Sequence, residues 1–310
     1  MKVGLVDVDG HNFPNIPLMK ISAWHKKQGD SVEWYKPLIS GHMDIVYMSK
    51  VFSFSRDFQF PIDADQVKKG GSGYCIDLVD GKEVYHAERD QNLPYEIEHI
   101  YPDYDLYGIT DTAYGFLTRG CPRKCDFCHV KSKEGTVSYK VADLSEFWHG
   151  QKNIMLCDPN ILACKEHKDL LQQLVDSKSI VEFNQGLDVR LMNSANIEML
   201  KKIRLNKVHL AYDRIQDMKI VEPKLREFAD VTGFNRSKGR VTVYILCNFD
   251  TTLEEDIHRI QFCRELDFSP YPMIYDKEHA DPVYRKLQRW CNNNVFWKCK
   301  TFDAYRGAVI

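Results

Sequence analysis

The chain has 310 residues, 44% hydrophobic and 28% charged, and its 42 Lys and Arg against 44 Asp and Glu leave a formal net charge of -2. That length gives room for about two domains with buried cores, and the composition excludes a disordered chain, a collagen and a staple-dependent miniprotein. A balanced charge excludes a chain-wide pull toward nucleic acid or anionic membrane, so any such partner has to be met by a local patch.

The 10 cysteines are too sparse for a secreted disulfide scaffold, and three of them, Cys121, Cys125 and Cys128, crowd into one short stretch. The N-terminus reaches Asp7 before a signal-peptide core can form. No apolar run approaches the roughly 20 residues of a membrane span. These features predict a reducing cytoplasm, no membrane partner, and thiols that are free or metal-bound.

In chain order, Lys2 to Val6 reads as an apolar strand, Ile16 to Lys27 as a helix before Gly29, Ser31 to Tyr35 as a strand and Asp44 to Met48 as another. Together they suit a small, truncated Rossmann-like sheet over residues 1–80. Gly70-Gly71-Ser72-Gly73 reads as a plain loop, with a backbone approach to a ligand as the alternative. Residues 81–108, rich in Tyr and acids, read as a surface linker.

From residue 109 to 280 strand and helix patterns alternate. The predicted strands are Tyr114 to Thr118, Asn153 to Cys157, Ile180 to Asn184, Lys207 to Tyr212, Val241 to Leu246 and Pro272 to Tyr275. Helical spacing falls at Leu144 and Phe147, at Leu170, Leu171, Leu174 and Val175, at Ile197, Leu200 and Ile203, and at Leu253, Ile257, Ile260 and Leu266. Thr252 and Glu255 form a capping box before the last of these. The repeats predict an α/β protein with a parallel sheet, either a partial barrel or a doubly wound sheet, whose chemistry belongs at the carboxyl ends of the strands. Residues 281–310 read as a helix followed by an aromatic, basic tail.

After the first of those strands comes Thr118-Arg119-Gly120-Cys121-Pro122-Arg123-Lys124-Cys125-Asp126-Phe127-Cys128-His129. Three thiolates so spaced can wrap one soft metal centre, an iron–sulfur cluster or zinc. Structural zinc takes four ligands, commonly in pairs, and no second Cys-x-x-Cys pair exists here. A cluster held by three cysteines leaves one iron open to an outside ligand, which implies chemistry rather than electron storage.

Cys121, Cys125, Phe127 and Cys128 match the Cys-x3-Cys-x-aromatic-Cys signature, and with the β/α repeats over about residues 110–280 the chain resembles the radical S-adenosylmethionine superfamily. The resemblance implies a partial (β/α)6 TIM-like barrel behind the truncated Rossmann-like domain. It implies a [4Fe-4S] cluster on the three cysteines, S-adenosylmethionine on the open iron, and an external electron donor of flavodoxin or ferredoxin type. Reductive cleavage would then yield a 5′-deoxyadenosyl radical that abstracts hydrogen from a substrate. Phe127 corresponds to the aromatic beside the cluster.

The family's Gly-Gly-Glu-like turn is absent; Leu156-Cys157-Asp158-Pro159-Asn160 stands in its place. Asp158 or Asn160 could receive the cofactor's ammonium, or cap the following helix. Gln185 and Asp188 are placed for the ribose hydroxyls and Arg190 for the carboxylate. Asp213, Arg214, Tyr275 and Asp276 lie at further strand ends.

Some members of the superfamily carry an N-terminal cobalamin-binding domain, and Asp9, His11 and Pro14 align with its Asp-x-His-x-x-Gly motif, with Pro replacing Gly. A degenerate domain without cobalamin, or a cobalamin-dependent methyltransferase, are the two readings of that match. Basic residues cluster at Arg119, Arg123, Lys124, Lys131, Lys133 and Lys140. They cluster again at Arg285, Lys286, Arg289, Lys298, Lys300 and Arg306, interleaved with Trp290, Phe296, Trp297, Phe302 and Tyr305. This tail could stack on a nucleic acid or pack on the barrel. A zinc-stabilised binding protein without catalysis is the reading from another class.

Overall fold

A computed structural model describes residues 1–79, 82–292 and 295–307. The chain divides into two compact units: Met1–Phe116, Gly120–Val137 and Val141–Lys152 form the first, and Leu117–Arg119, Ser138–Lys140 and Asn153–Ile310 the second.

The first unit opens with β1 (Lys2–Asp7), whose Val3, Leu5 and Val6 are all buried, as in a strand covered on both faces. Helix α1 (Ile16–Lys27) starts where the Asn15 side chain accepts from the Leu18 N–H at 3.2 Å and ends before Gly29 at φ +83°. With β2 (Ser31–Trp34), β3 (Met43–Ser49) and β4 (Ala64–Gly70), β1 forms a parallel sheet of order β2-β1-β3-β4. The strand order reverses beside β1, between β2 on one side and β3 on the other.

Strand β4 had no sequence signal. Its residues are polar and mostly exposed, and its partner β3 alone makes it a strand. The glycine run closes β4 and leads into α2 (Ser72–Cys75). Any Cβ on Gly71 would strike the Lys50 carbonyl oxygen, so glycine is required there by close backbone packing. Core residues Val3, Leu5, Leu18, Ile21, Ile45 and Ile97 fill one face of the sheet, and Val6, Tyr35, Met43, Val46 and Met48 the other.

The tract predicted as a linker belongs to this unit. After α2 come β5 (Ile76–Val79), its antiparallel partner β6 (Lys82–Tyr85), α3 (Tyr95–Glu98) and β7 (Thr112–Gly115). The tract is tied to α1 by Lys20–Glu98 at 2.7 Å and Lys26–Asp103 at 2.6 Å, and to β1 by the Tyr107 hydroxyl donating to Asp7 at 2.6 Å. Residues 80 and 81, on either side of the predicted boundary between domain and linker, lie outside the described residues. Helix α4 (Val130–Lys133) follows the cysteine loop. The helix predicted around Leu144 and Phe147 is only a 3-10 turn, Leu144–Glu146, closed by an Asp143–Glu146 capping box.

In the second unit, β8 (Thr118–Arg119) pairs antiparallel with β9 (Tyr139–Lys140). The strand predicted over Tyr114 to Thr118 is therefore two pieces, β7 and β8. Strands β10 (Asn153–Leu156), β11 (Ile180–Phe183), β12 (Arg204–Ala211), β13 (Val241–Cys247) and β14 (Ser269–Ile274) run parallel, each beside its predecessor. The connecting helices are α5 (His167–Ser177), α6 (Ser194–Lys202), α7 (Met218–Thr232) and α8 (Leu253–Glu265). Helix α7 was not expected from the sequence and runs continuously through Pro223, a residue that ordinarily ends a helix; it buries Val221, Leu225 and Phe228 and stops at Gly233, φ +62°. The chain is thus a mixed α/β protein with parallel sheets.

At the C-terminus lie α9 (Pro282–Cys291) and α10 (Val295–Lys298). Trp290 and Phe296 are fully buried and Phe302 nearly so, and the Arg264 guanidinium lies 3.9 Å from the Phe296 ring centroid. These three tail aromatics are packed within the second unit, the second of the two arrangements expected from the sequence. Residues 293, 294 and 308–310 of the predicted tail lie outside the described residues.

Candidate functional site

The cysteine loop belongs to the first unit and is closed at its neck. Gly120, at φ +75°, donates its N–H to the Glu134 carboxylate at 3.1 Å, and the Cys121 N–H reaches the Gly135 carbonyl at 3.3 Å. A Cβ at residue 120 would collide with the Val137 carbonyl oxygen, so the neck needs glycine. Within the loop the Cys128 N–H bonds the Cys125 carbonyl at 3.2 Å, and Phe127 is half-buried beside them. Beyond it, Lys133 pairs with Asp90 at 2.6 Å and His129 Nδ1 with Glu83 at 2.8 Å.

All ten cysteines are free of disulfides; Cys121, Cys125 and Cys128 are half-buried. Burial pushes the Cys128 thiol up to about 11, and the neighbouring Cys125 and Cys121 sulfurs push in the same direction, so the three feel one another's charge. Among the described residues no group of three or more His, Cys, Asp or Glu side chains is close enough together to hold a metal ion. Protonated thiols have no force drawing them together, and thiolates repel; metal binding itself releases the protons and gathers the ligands. Three half-buried cysteines outside any disulfide on one pinned loop are a donor set whose chemistry fits a soft metal or an iron–sulfur cluster.

The other predicted site residues, Asp158, Asn160, Gln185, Asp188 and Arg190, lie in the second unit, at the carboxyl ends of β10 and β11. Asp158 is buried, and its Oδ1 accepts from the Thr118 N–H at 2.5 Å, the Thr118 hydroxyl at 2.6 Å and the Leu117 N–H at 3.1 Å. Burial lifts its carboxyl to about 6, against the pull of those donors. It therefore clamps the segment that enters the cysteine loop.

Asn160, also buried, donates to Asp188 at 3.2 Å. Asp188 in turn grips Arg190 through Nε at 2.8 Å, and Arg190 Nη1 reaches Asp217 at 2.9 Å. Burial disfavours the guanidinium's charge, but Asp188 and Asp217 outweigh it and hold Arg190 firmly cationic. Asn160, Asp188 and Arg190 are thus one hydrogen-bonded chain, while Gln185 is exposed.

Sequence reasoning missed the neighbouring pin. Arg259 is fully buried, donates to the Tyr212 carbonyl at 2.7 Å and the Leu246 carbonyl at 2.8 Å, and pairs with buried Asp256. Asp213, bonded to the Leu246 N–H at 3.3 Å, is lifted by burial to about 6 despite Arg259 nearby. The available signal was a charged pair three residues apart on the face of α8 that also carries Ile260 and Cys263. His209 is a second omission: it is buried, bonded to the Phe183 carbonyl at 3.2 Å, and burial lowers its basicity.

In the first unit, His11 is exposed with its ring centroid 4.2 Å from Trp34, and Asp9 accepts from the Val51 and Phe52 N–H groups rather than from His11. A metal-ligating histidine ordinarily has its second ring nitrogen held by a carboxylate, carbonyl or water. The Asp9–His11 match to a cobalamin motif does not form that pair. Compared with protein-family models and with curated proteins, the chain matches none.

Proposed function

We propose that the protein is a radical S-adenosylmethionine enzyme whose [4Fe-4S] cluster is held by Cys121, Cys125 and Cys128. The observation that carries this reading is the loop itself: three half-buried cysteines outside any disulfide, in Cys-x3-Cys-x-Phe-Cys spacing, on a loop pinned at Gly120 and Glu134. The second unit supports it, because β10 to β14 step in one direction without reversal, the order of a barrel segment rather than of a doubly wound sheet. On this reading the fold is a partial TIM-like barrel preceded by a Rossmann-like unit.

When bound, the cluster and S-adenosylmethionine supply a one-electron cleavage that makes a hydrogen-abstracting 5′-deoxyadenosyl radical, given an electron from a flavodoxin- or ferredoxin-type donor. The chain's own residues do the holding. Asp158 fixes Leu117 and Thr118 just before the first cysteine, so the loop leaves from a rigid base. Phe127 supplies an apolar wall next to Cys128. Asn160, Asp188 and Arg190 form a hydrogen-bonded chain that stiffens the carboxyl ends of β10 and β11.

Anaerobic reconstitution with iron and sulfide tests the proposal. The expected result is about four irons and four sulfides per chain, a brown chromophore, and 5′-deoxyadenosine on adding dithionite and S-adenosylmethionine. One zinc and no chromophore in protein purified without oxygen would overturn it.

A further inference from the structure

In the second unit the amino ends of β11 to β14 form one edge of the sheet, at the opposite end of the strands from Asp158 and Asp188. The turns that reach this edge are basic. Lys178 stands between α5 and β11, and Lys201, Lys202 and Arg204 flank the turn from α6 to β12. The loop from α7 to β13 adds Arg236, Lys238 and Arg240, and every one of these side chains is exposed. The turns are neighbours in space: the Arg204 guanidinium donates to the Lys178 carbonyl at 2.9 Å, Arg240 donates to the Asn206 side-chain oxygen at 2.7 Å, and Arg236 pairs with Asp267, just before β14, at 2.6 Å. Arg236 also lies over the Trp297 ring, 4.1 Å from its centroid, which brings α10 and the exposed Lys298 and Lys300 to the same edge. With strands roughly 4.8 Å apart, the cations form a row about 15 Å long.

Little acid opposes them. Asp176 accepts from Gln172 at 2.8 Å, and Glu265 and Asp267 are held by Arg226 at 2.8 Å and Arg236 at 2.6 Å. Among the described residues Lys178, Lys201, Lys202, Lys238, Lys298 and Lys300 make no ion pair. The chain as a whole balances 42 Lys and Arg against 44 Asp and Glu, so this edge is a local concentration of one sign. The dipole of a helix favours cations at its carboxyl end, which accounts for Lys178, Lys201 and Lys202; Arg204, Lys238 and Arg240 stand outside any helix. Lys178 and Arg240 moreover hold φ of +56° and +42°, so long cations stand at two turn positions that glycine would occupy without strain.

We propose that this edge docks a single-stranded nucleic acid, its phosphates along the row of cations and a base against Trp297. Trp297 selects a single strand: it is half-exposed among the cations, unlike the buried Trp290, Phe296 and Phe302, and only an unpaired base offers its face to such a ring. The surface is independent of the cluster chemistry proposed for the cysteine loop.

The test is a fluorescence-anisotropy titration of the full chain against labelled single-stranded RNA of mixed sequence, about 20 nucleotides long so that it exceeds the usual site size. Binding is expected, and Lys201→Gln/Lys202→Gln/Lys238→Gln should weaken it at least about tenfold and make the slope of log affinity against log salt shallower by about 2. Trp297→Leu should weaken binding at least about fivefold with the salt slope unchanged, and Trp297→Phe should recover most of the loss. Lys165→Gln/Lys168→Gln/Lys219→Gln, which removes exposed cations at the other end of α5 and α7, should bind like the unaltered chain. Absence of RNA binding, equal binding by the first triple variant, or an equal loss in the second overturns the proposal. Duplex RNA that binds as tightly as the single strand overturns it too, and polyglutamate that competes as well as unlabelled RNA would assign the edge to an acidic protein instead.

Discussion

The cysteine loop and the polar cluster at the ends of β10 to β13 are built on opposite plans. The loop keeps its thiols half-exposed and spends its backbone on closing its own neck. The cluster buries its carboxylates and guanidinium and commits the side chains to the chain itself: Asp158 to Leu117 and Thr118, Arg259 to Tyr212, Leu246 and Asp256. The difference teaches where ligand chemistry can enter. A buried donor whose bonds are already made within the fold is part of the scaffold, and a half-exposed thiol on a pinned loop is reachable by a ligand.

The sharpest way to break that contrast is to truncate the loop. Cys121→Ala, Cys125→Ala or Cys128→Ala should each cut iron retained after anaerobic reconstitution from about four per chain to below about one, with the far-ultraviolet circular dichroism unchanged. Retained iron in all three variants would place the cluster elsewhere. The polar cluster should behave in the reverse way. Arg259→Ala leaves Asp256 buried without a counter-ion and should cost about 3–5 kcal/mol, read as a lower urea midpoint, whether or not iron is present.

A pH series sharpens the comparison further. Asp158 and Asp213 are both lifted to about 6 in the folded chain from an ordinary value of 3.8. Between those values the folded state binds protons that the unfolded chain has released, so stability falls as pH rises through that window and levels off above it. Asp213→Asn should remove its share of the decline, up to about 3 kcal/mol, and flatten the urea midpoint against pH. The smallest effect belongs to the surface of the loop region: Lys131 pairs with an 84% exposed Asp126 side chain, and Lys131→Ala should change stability by less than about 0.5 kcal/mol in the same assay.

Much of the fold was legible in the sequence. The strands near Lys2, Ser31, Asn153, Ile180, Val241 and Pro272 and the helices at Ile16, Leu170, Ile197 and Leu253 were found because a buried face imposes a period on the chain. Strand β4 and helix α7 were not: exposed polar residues carry no period, and α7 runs through Pro223, a residue that ordinarily ends a helix. The tract 81–108 looked like a connector because its Tyr and acidic residues are polar in composition; Tyr104 and Ile97 are nonetheless buried, and Asp103 binds Lys26. The three cysteines were legible because they lie together on one short loop, while Arg259 was hidden because its partners Tyr212 and Leu246 lie on other elements.

By itself the sequence determined the alternation of strands and helices and the spacing of Cys121, Cys125 and Cys128, since both are properties of neighbours along the chain. The tertiary structure alone decided which polar groups are committed: Asp158, Asp188 and Arg259 have their bonds made within the fold. The physical reason is that burial and hydrogen-bond satisfaction depend on groups brought together from distant parts of the chain, and no local pattern records those encounters.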